Sequence, residues 1–184
     1  MAKDFPAIDD QHREFIAKQR IFFTASSYGD SHVNLSPRGT DCFRVLGPNR
    51  VAYLDRTGSG NETSAHLRAG GRLTIMFCAF DGPPQILRLY GRGRAIKRGT
   101  PRFESLLAEH FGECPPGARQ FIEQDVDLVK TSCGYGVPLF EYRTERPSMD
   151  QWARNKGEEA LEAYRRDNNQ VSMDGLPTGW LDAD

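Results

Sequence analysis

Short apolar runs follow one another through the first 55 residues, with no long helix between them. Ile21-Phe22-Phe23-Thr24-Ala25, within Arg20 to Ser27, reads as a buried strand. His32-Val33-Asn34-Leu35-Ser36 alternates polar and apolar, as a half-buried strand does. Pro37-Arg38-Gly39-Thr40-Asp41 interrupts it, and Cys42-Phe43-Arg44-Val45-Leu46 resumes it. Gly47-Pro48-Asn49 then turns into Arg50-Val51-Ala52-Tyr53-Leu54. Strands this closely spaced pair antiparallel, in a sheet that must curl or close.

The remaining segments fit around such a sheet. Asp9 to Gln19 reads as a short helix capped by Asp9 or Asp10, with Phe15 and Ile16 on its apolar face. Arg72 to Phe80 is a core strand. Gln85 to Arg98 is a long strand in which Gly91 and Gly93 break the side-chain row, as a barrel bend does. Its Arg92, Arg94, Lys97 and Arg98 read as a solvated face. Thr100 caps a helix with Pro101 at its first position. Phe103, Leu106, Leu107, His110 and Phe111 make one stripe along it. Ala118 to Ile122 reads as a helical turn, Val126 to Ser132 as a strand, and Leu139 to Tyr142 as its hairpin partner. Ser148 and Gln151 have capping-box spacing at the start of a last helix, to about Arg166. The tail, Asp167 to Asp184, is polar but carries Leu176 and Trp180. The fold expected is mainly β with flanking helices, a Greek-key-like antiparallel barrel.

Length and charge narrow the partners. A chain of 184 residues usually forms one domain and buries enough surface to need neither disulfide nor metal. Its 24 basic and 25 acidic residues nearly balance, which gives no reason to expect nucleic acid or an anionic membrane. No apolar run approaches a transmembrane span, and the N-terminus has no signal-peptide core. Cys42, Cys78, Cys114 and Cys133 form no CxxC pair and no zinc spacing, so they read as reduced thiols of a cytoplasmic protein.

One turn is a candidate site. Asp55-Arg56-Thr57-Gly58-Ser59-Gly60-Asn61-Glu62 joins the strand ending at Leu54 to a helix-compatible run, Thr63 to Ala69. Gly58 and Gly60 place no Cβ in the way of a ligand. Unpaired N–H groups of such a turn and helix start favour an anion. It reads as a phosphate cradle or as an ordinary strand-to-helix turn. A Walker loop is excluded because no lysine follows Gly60. A dinucleotide fingerprint is excluded because Thr63 stands where the third glycine belongs. A cation for the phosphate must therefore come from elsewhere. Arg38, at the end of a nearby strand, pairs well with phosphate, and Ser36, Ser59 and Asn61 add neutral donors.

The order of these segments resembles the pyridoxamine 5′-phosphate oxidase-like family of flavin-mononucleotide (FMN) split barrels, from roughly Gln19 to Tyr142. Val33-Asn34-Leu35-Ser36-Pro37-Arg38-Gly39 resembles the family strand that reaches the flavin and its phosphate. Tyr53 to Glu62 resembles the strand and loop that hold the phosphate. Gln85-Ile86-Leu87-Arg88-Leu89-Tyr90-Gly91-Arg92 resembles the strand beneath the ring. Thr131-Ser132-Cys133-Gly134-Tyr135-Gly136-Val137-Pro138 resembles the late strand end that meets a flavin bound mainly by the partner subunit. The resemblance implies one FMN-binding split-barrel domain over 1–184, with the barrel at about 19–143 and a C-terminal helix and tail at about 147–184. It implies a homodimer with FMN at the interface. The cofactor-binding residues it implies are Asn34, Ser36, Arg38, Asp55, Arg56, Thr57, Ser59, Gly60, Asn61, Glu62, Arg88, Ser132, Cys133, Gly134 and Tyr135. Arg88, alone in an apolar strand, is either the donor to the flavin N1–C2 edge or an outward barrel arginine.

Departures from the family pattern limit the function. The Arg-Lys pair that follows Gly-Ser in true oxidases is replaced by Gly60-Asn61. The helix after the long strand offers Phe103, Leu107 and His110, not a set for a substrate phosphate. Neither the family's late tryptophan nor its substrate-binding Arg-x-His has a match near Ser132 to Val137. Oxidation of pyridoxamine phosphate is not expected. The leading expectation is a flavin-dependent oxidoreductase acting on another small molecule. Alternatives are a haem-handling module, with His32, His66 or His110 as axial ligand, and a structural dimer without flavin.

Overall fold

The expected antiparallel sheet forms. In the computed structural model, which describes residues 2–182, the chain runs β1 (Lys3–Phe5), α1 (Asp10–Lys18), β2 (Ile21–Ser27), β3 (Asn34–Gly39), β4 (Phe43–Gly47), β5 (Arg50–Arg56) and α2 (Glu62–Arg68). It continues through β6 (Arg72–Cys78), β7 (Gln85–Lys97), α3 (Pro101–His110), β8 (Ala118–Cys133), α4 (Ser148–Lys156) and α5 (Glu158–Asn168). Positions 1, 183 and 184 of the expected domain and tail lie outside the described residues. The strand order is β3-β2-β6-β7-β8-β5-β4, with β1 added along β8, and every pairing is antiparallel.

The sheet curls into a half-barrel. Arg38 on β3 and Asp55 on β5 belong to strands that share no ladder, yet their side chains meet at 2.7 Å. Alternate side chains of the central strands fill the concave side: Phe22, Tyr53, Leu73, Ile75, Phe77, Leu87, Leu89 and Val129 are fully buried. The aliphatic and phenylalanine side chains among them contribute about 1.5–3 kcal/mol each by leaving water. A second cluster, Leu54, Ile96, Phe103, Leu106 and Phe121, seats α3 against β5, β7 and β8. The register of β7 against β8 shifts between Tyr90 and Gly91. A Cβ on Gly91 would lie 2.0 Å from the Asp125 carbonyl oxygen, so only glycine allows this approach.

Several local expectations are corrected. Pro37 does not interrupt its strand; it lies within β3 opposite Phe23. β3 pairs only with β2, and an edge strand tolerates a residue without an N–H. Ala118 to Ser132 is no helical turn followed by a strand but part of one 16-residue strand, β8, which ladders with β5, β7 and β1. Cross-strand pairing overrides the helix-compatible composition there. Leu139 to Tyr142 forms no strand, although the Phe140 amide donates to the Phe80 carbonyl at 2.8 Å. The last helix is two helices, because Gly157 adopts φ 75° between α4 and α5. Pro147, not Ser148, is the N-cap of α4, and no side chain caps it. The three residues of β1 carried no strand signal and were missed.

Candidate functional site

A cavity of about 930 Å³ opens at the seam between β3 and β5, where the curled sheet is not closed by hydrogen bonds. Its walls are β3 (Asn34 to Gly39), the end of β5, the turn Gly58 to Thr63, Arg119, the stretch Glu145 to Asp150, and Met173. The curl places the expected arginine beside the expected turn, since β3 reaches across to β5.

The floor is a buried polar network. Arg38 Nη1 donates to Asp55 Oδ1 at 2.7 Å, and Arg119 Nε donates to Asp55 Oδ2 at 2.8 Å. Gln120 Nε2 donates to Asp55 Oδ2 and to Asn61 Oδ1, both at 2.8 Å. Two guanidiniums share the Asp55 carboxylate on this floor, while Asp41, Glu62, Glu145 and Asp150 bring negative charge to the walls. Burial disfavours the Asp55 charge, but Arg119 and Arg38 outweigh it and hold its carboxyl below the usual carboxylate range. For Arg38, burial works against the charge, and the Asp55 carboxylate outweighs it and keeps the guanidinium protonated. That guanidinium lies 4.7 Å from the centre of the Tyr53 ring. Burial pushes both the Tyr53 phenol and the Cys42 thiol up to about 12.

Two donors on this floor are left over. Arg38 Nε and Asn61 Nδ2 are buried and bond to no group among the described residues. Asn61 is the N-cap of α2, yet its side chain does not cap the helix. Its Oδ1 is engaged by Gln120, and its amide nitrogen is spare. A buried unsatisfied donor costs about 1–3 kcal/mol, so an acceptor entering the cavity at this point is favoured. The residues thus fit an anionic group such as a phosphate.

Of the sequence-expected residues, Asn34, Ser36, Arg38, Asp55, Arg56, Ser59, Gly60, Asn61 and Glu62 line this cavity. Asn34 Nδ2 donates to Thr63 Oγ1 at 3.0 Å, and Arg56 pairs with Asp150 of α4. Thr57 is not on the wall. It is buried behind the turn, where its hydroxyl donates to the Gly117 carbonyl at 3.0 Å. Arg88, Ser132, Cys133, Gly134 and Tyr135 do not line the cavity either. They gather at the other end of β8, with Arg88 Nη1 donating to Ser132 Oγ at 3.0 Å. Cys133 and Tyr135 are exposed there, the latter by 84 %. Gly134 packs against β7, and a Cβ on it would stand 2.8 Å from the Gln85 nitrogen. One chain therefore brings together the cradle half of the expected site and leaves the ring half elsewhere.

Arg119 was missed because its segment read as a helical turn. The signal available was a lone arginine among Ala118, Gln120, Phe121 and Ile122. The histidines do not gather at the cavity. His32 is exposed and pairs with Asp174 at 2.6 Å, His66 is buried with Nδ1 3.0 Å from Ser26 Oγ, and His110 ends α3.

The comparisons with known proteins agree with this architecture. Residues 8–133 match the pyridoxamine 5′-phosphate oxidase family. The chain belongs to that family. It is 38% identical over 191 residues to the pyridoxamine 5′-phosphate oxidase family protein ustO of Aspergillus flavus, covering 94% of this chain and 76% of that one. Among solved structures, a variant of HupZ from Group A Streptococcus superposes with TM-score 0.56 at 15% identity, over 68% of this chain and 99% of that chain. A putative pyridoxamine 5′-phosphate oxidase from Lactobacillus delbrueckii superposes with TM-score 0.53 at 13% identity, over 68% and 94%. These likenesses establish the split-barrel fold. No helix among the described residues is long and apolar enough to cross a membrane.

Proposed function

We propose that this family member binds FMN, with the phosphate in the cavity at the β3–β5 seam, and acts as a flavin-dependent oxidoreductase on a small molecule other than pyridoxamine phosphate. The observation that carries the reading is the pair of spare buried donors, Arg38 Nε and Asn61 Nδ2, on a floor where Arg38 and Arg119 flank the single carboxylate of Asp55. A cavity of about 930 Å³ is of the size of cofactor pockets, roughly 300–1,000 Å³. Arg38 and Asn61 would hold the phosphate, and Ser36 and Ser59 would add neutral bonds. Asp55 keeps Arg38 aimed and charged. FMN, when bound, supplies the electron-transfer chemistry, which no side chain here offers.

The ring half of the site belongs to a homodimer in this reading. Arg88 and Ser132, linked to each other, with Cys133, Gly134 and Tyr135 beside them, would meet the flavin held by the partner. The exposure of Tyr135, Leu139 and Phe140, each above 60 %, supports a covered face. Four unpaired cysteines fit the reducing cytoplasm.

The test is mass spectrometry of whatever the natively purified protein releases on denaturation, with an absorption spectrum taken first. FMN, with bands near about 370 and 450 nm, is the expected result, and the released mass separates it from a deazaflavin. A Soret band, or a colourless protein that takes up no added FMN, would overturn the proposal.

A further inference from the structure

The phosphate cradle has a second support that lies outside the family-matched residues 8–133. The chain after β8 returns to the back of the turn and grips it at successive points. Arg165 of α5, 1% exposed, donates from Nε to Thr57 Oγ1 at 2.8 Å. Asn169, fully buried, donates from Nδ2 to the Gly58 carbonyl at 3.1 Å and accepts from Arg119 Nη1 at 2.7 Å. The Met173 amide donates to the Glu62 carboxylate at 3.1 Å. The Arg165 contact holds the turn from behind, the Asn169 contact with Arg119 reaches the floor network, and the Met173 contact lies at the cavity wall.

Asn169 is the centre of this grip, because among these three C-terminal residues it alone bonds both the turn and the floor. Its two bonds join the Gly58 carbonyl to Arg119, whose Nε holds Asp55, which in turn holds Arg38. Thr178 Oγ1 donates to the Asn169 carbonyl at 2.6 Å, and the Thr178 amide donates to the Gln170 carbonyl at 2.9 Å, so the clamp is itself held. We infer that Asn169 is a positioning residue for the anion site: it sets the distance between the turn Gly58 to Asn61 and the buried pair of arginines, and thereby the affinity for the phosphate end of the ligand. This rests on the proposed FMN reading for its ligand, though not for its mechanics.

The test compares Asn169→Ala and Asn169→Asp with the unchanged protein. An aspartate keeps the bond to Arg119 and cannot donate to Gly58 but adds a negative charge, so the neutral Asn169→Ala is the variant that separates the lost clamp from a change of charge. Apo-protein is titrated with FMN and, separately, with riboflavin, by flavin fluorescence. Both variants are expected to weaken FMN about tenfold or more while leaving riboflavin unchanged. A purely structural role would move both ligands together. An unchanged FMN affinity in both variants, or an equal loss for both ligands, would overturn the inference. If the unchanged protein binds no FMN, the FMN reading fails, and hydrogen exchange of the ligand-free proteins decides the clamp. The Thr57 amide, which donates to the Gly117 carbonyl at 2.8 Å, should then exchange faster in Asn169→Asp while β7 and β8 amides do not change. Equal exchange at Thr57 would overturn it.

Discussion

Arg38 and Asp55 meet at 2.7 Å across a seam of the sheet that no backbone hydrogen bond closes. The pair does two things at once. It draws the edge strand β3 toward β5, and it orients a guanidinium whose Nε is left for something else.

Replacing Arg38 by alanine should weaken FMN binding by about 1.5–3 kcal/mol, the size of a hydrogen bond to a charged group. Fluorescence titration of apo-protein measures it. A dissociation constant equal to that of the unchanged protein removes Arg38 from the site.

Asp55 should make the fold acid-sensitive. Its folded pKa is depressed below the unfolded value of about 3.9. The stability it contributes is therefore fully present above that value and is lost as pH falls through the folded pKa. Asp55→Asn should be less stable than the unchanged protein at pH 7, by about 3–5 kcal/mol, because it leaves buried arginines uncompensated. It should also lose less on further acidification. Urea unfolding at neutral pH and near pH 3 checks both; parallel losses in the two proteins would show that other groups carry the acid response.

Riboflavin should bind at least about tenfold more weakly than FMN, one charge-assisted bond being worth that much or more. Arg38 and Asn61 line the cavity where the phosphate is proposed to lie, and riboflavin brings no anion there. Equal affinities by the same titration would mean that the turn Ser59 to Glu62 is only a turn.

Thiol labelling should separate the cysteines. Cys133 is exposed in a single chain and should react readily in apo-protein, and slowly in the flavin-loaded dimer, where ring and partner screen it. Cys42, half-buried with its thiol pushed up to about 12, should stay unreactive at neutral pH in either state. Sedimentation checks the dimer itself. A monomer would remove the interface, and a Cys133 indifferent to flavin would remove this segment from the site.

The strands from Ile21 to Leu54 were legible in the sequence because alternation and turn residues mark them locally. So was the turn between β5 and α2, whose glycines, amide and hydroxyls sit in one stretch. Ala118 to Gln120 was not, because β8 owes its extended form to ladders with β5 and β7 more than to its own residues. Arg119 was hidden with it. Asn169 lay in a polar tail that gives no sign of burial, since what buries it is a turn 111 residues earlier. Thr57 was assigned to the right loop and the wrong side of it: composition names a turn but does not say which way each side chain faces.

The grip on the cradle also sets an order of events. Thr57 waits for a partner 108 residues downstream, and Gly58 and Glu62 for partners 111 residues downstream. Contacts that distant form late, after the loop between them has been closed at an entropic cost. During synthesis the barrel strands can pair while the cradle is still unsupported from behind. A nascent chain released after β8 would hold the arginines and the turn without Arg165, Asn169 and Met173 against it, so the turn reaches its final form only when the chain through Met173 is complete.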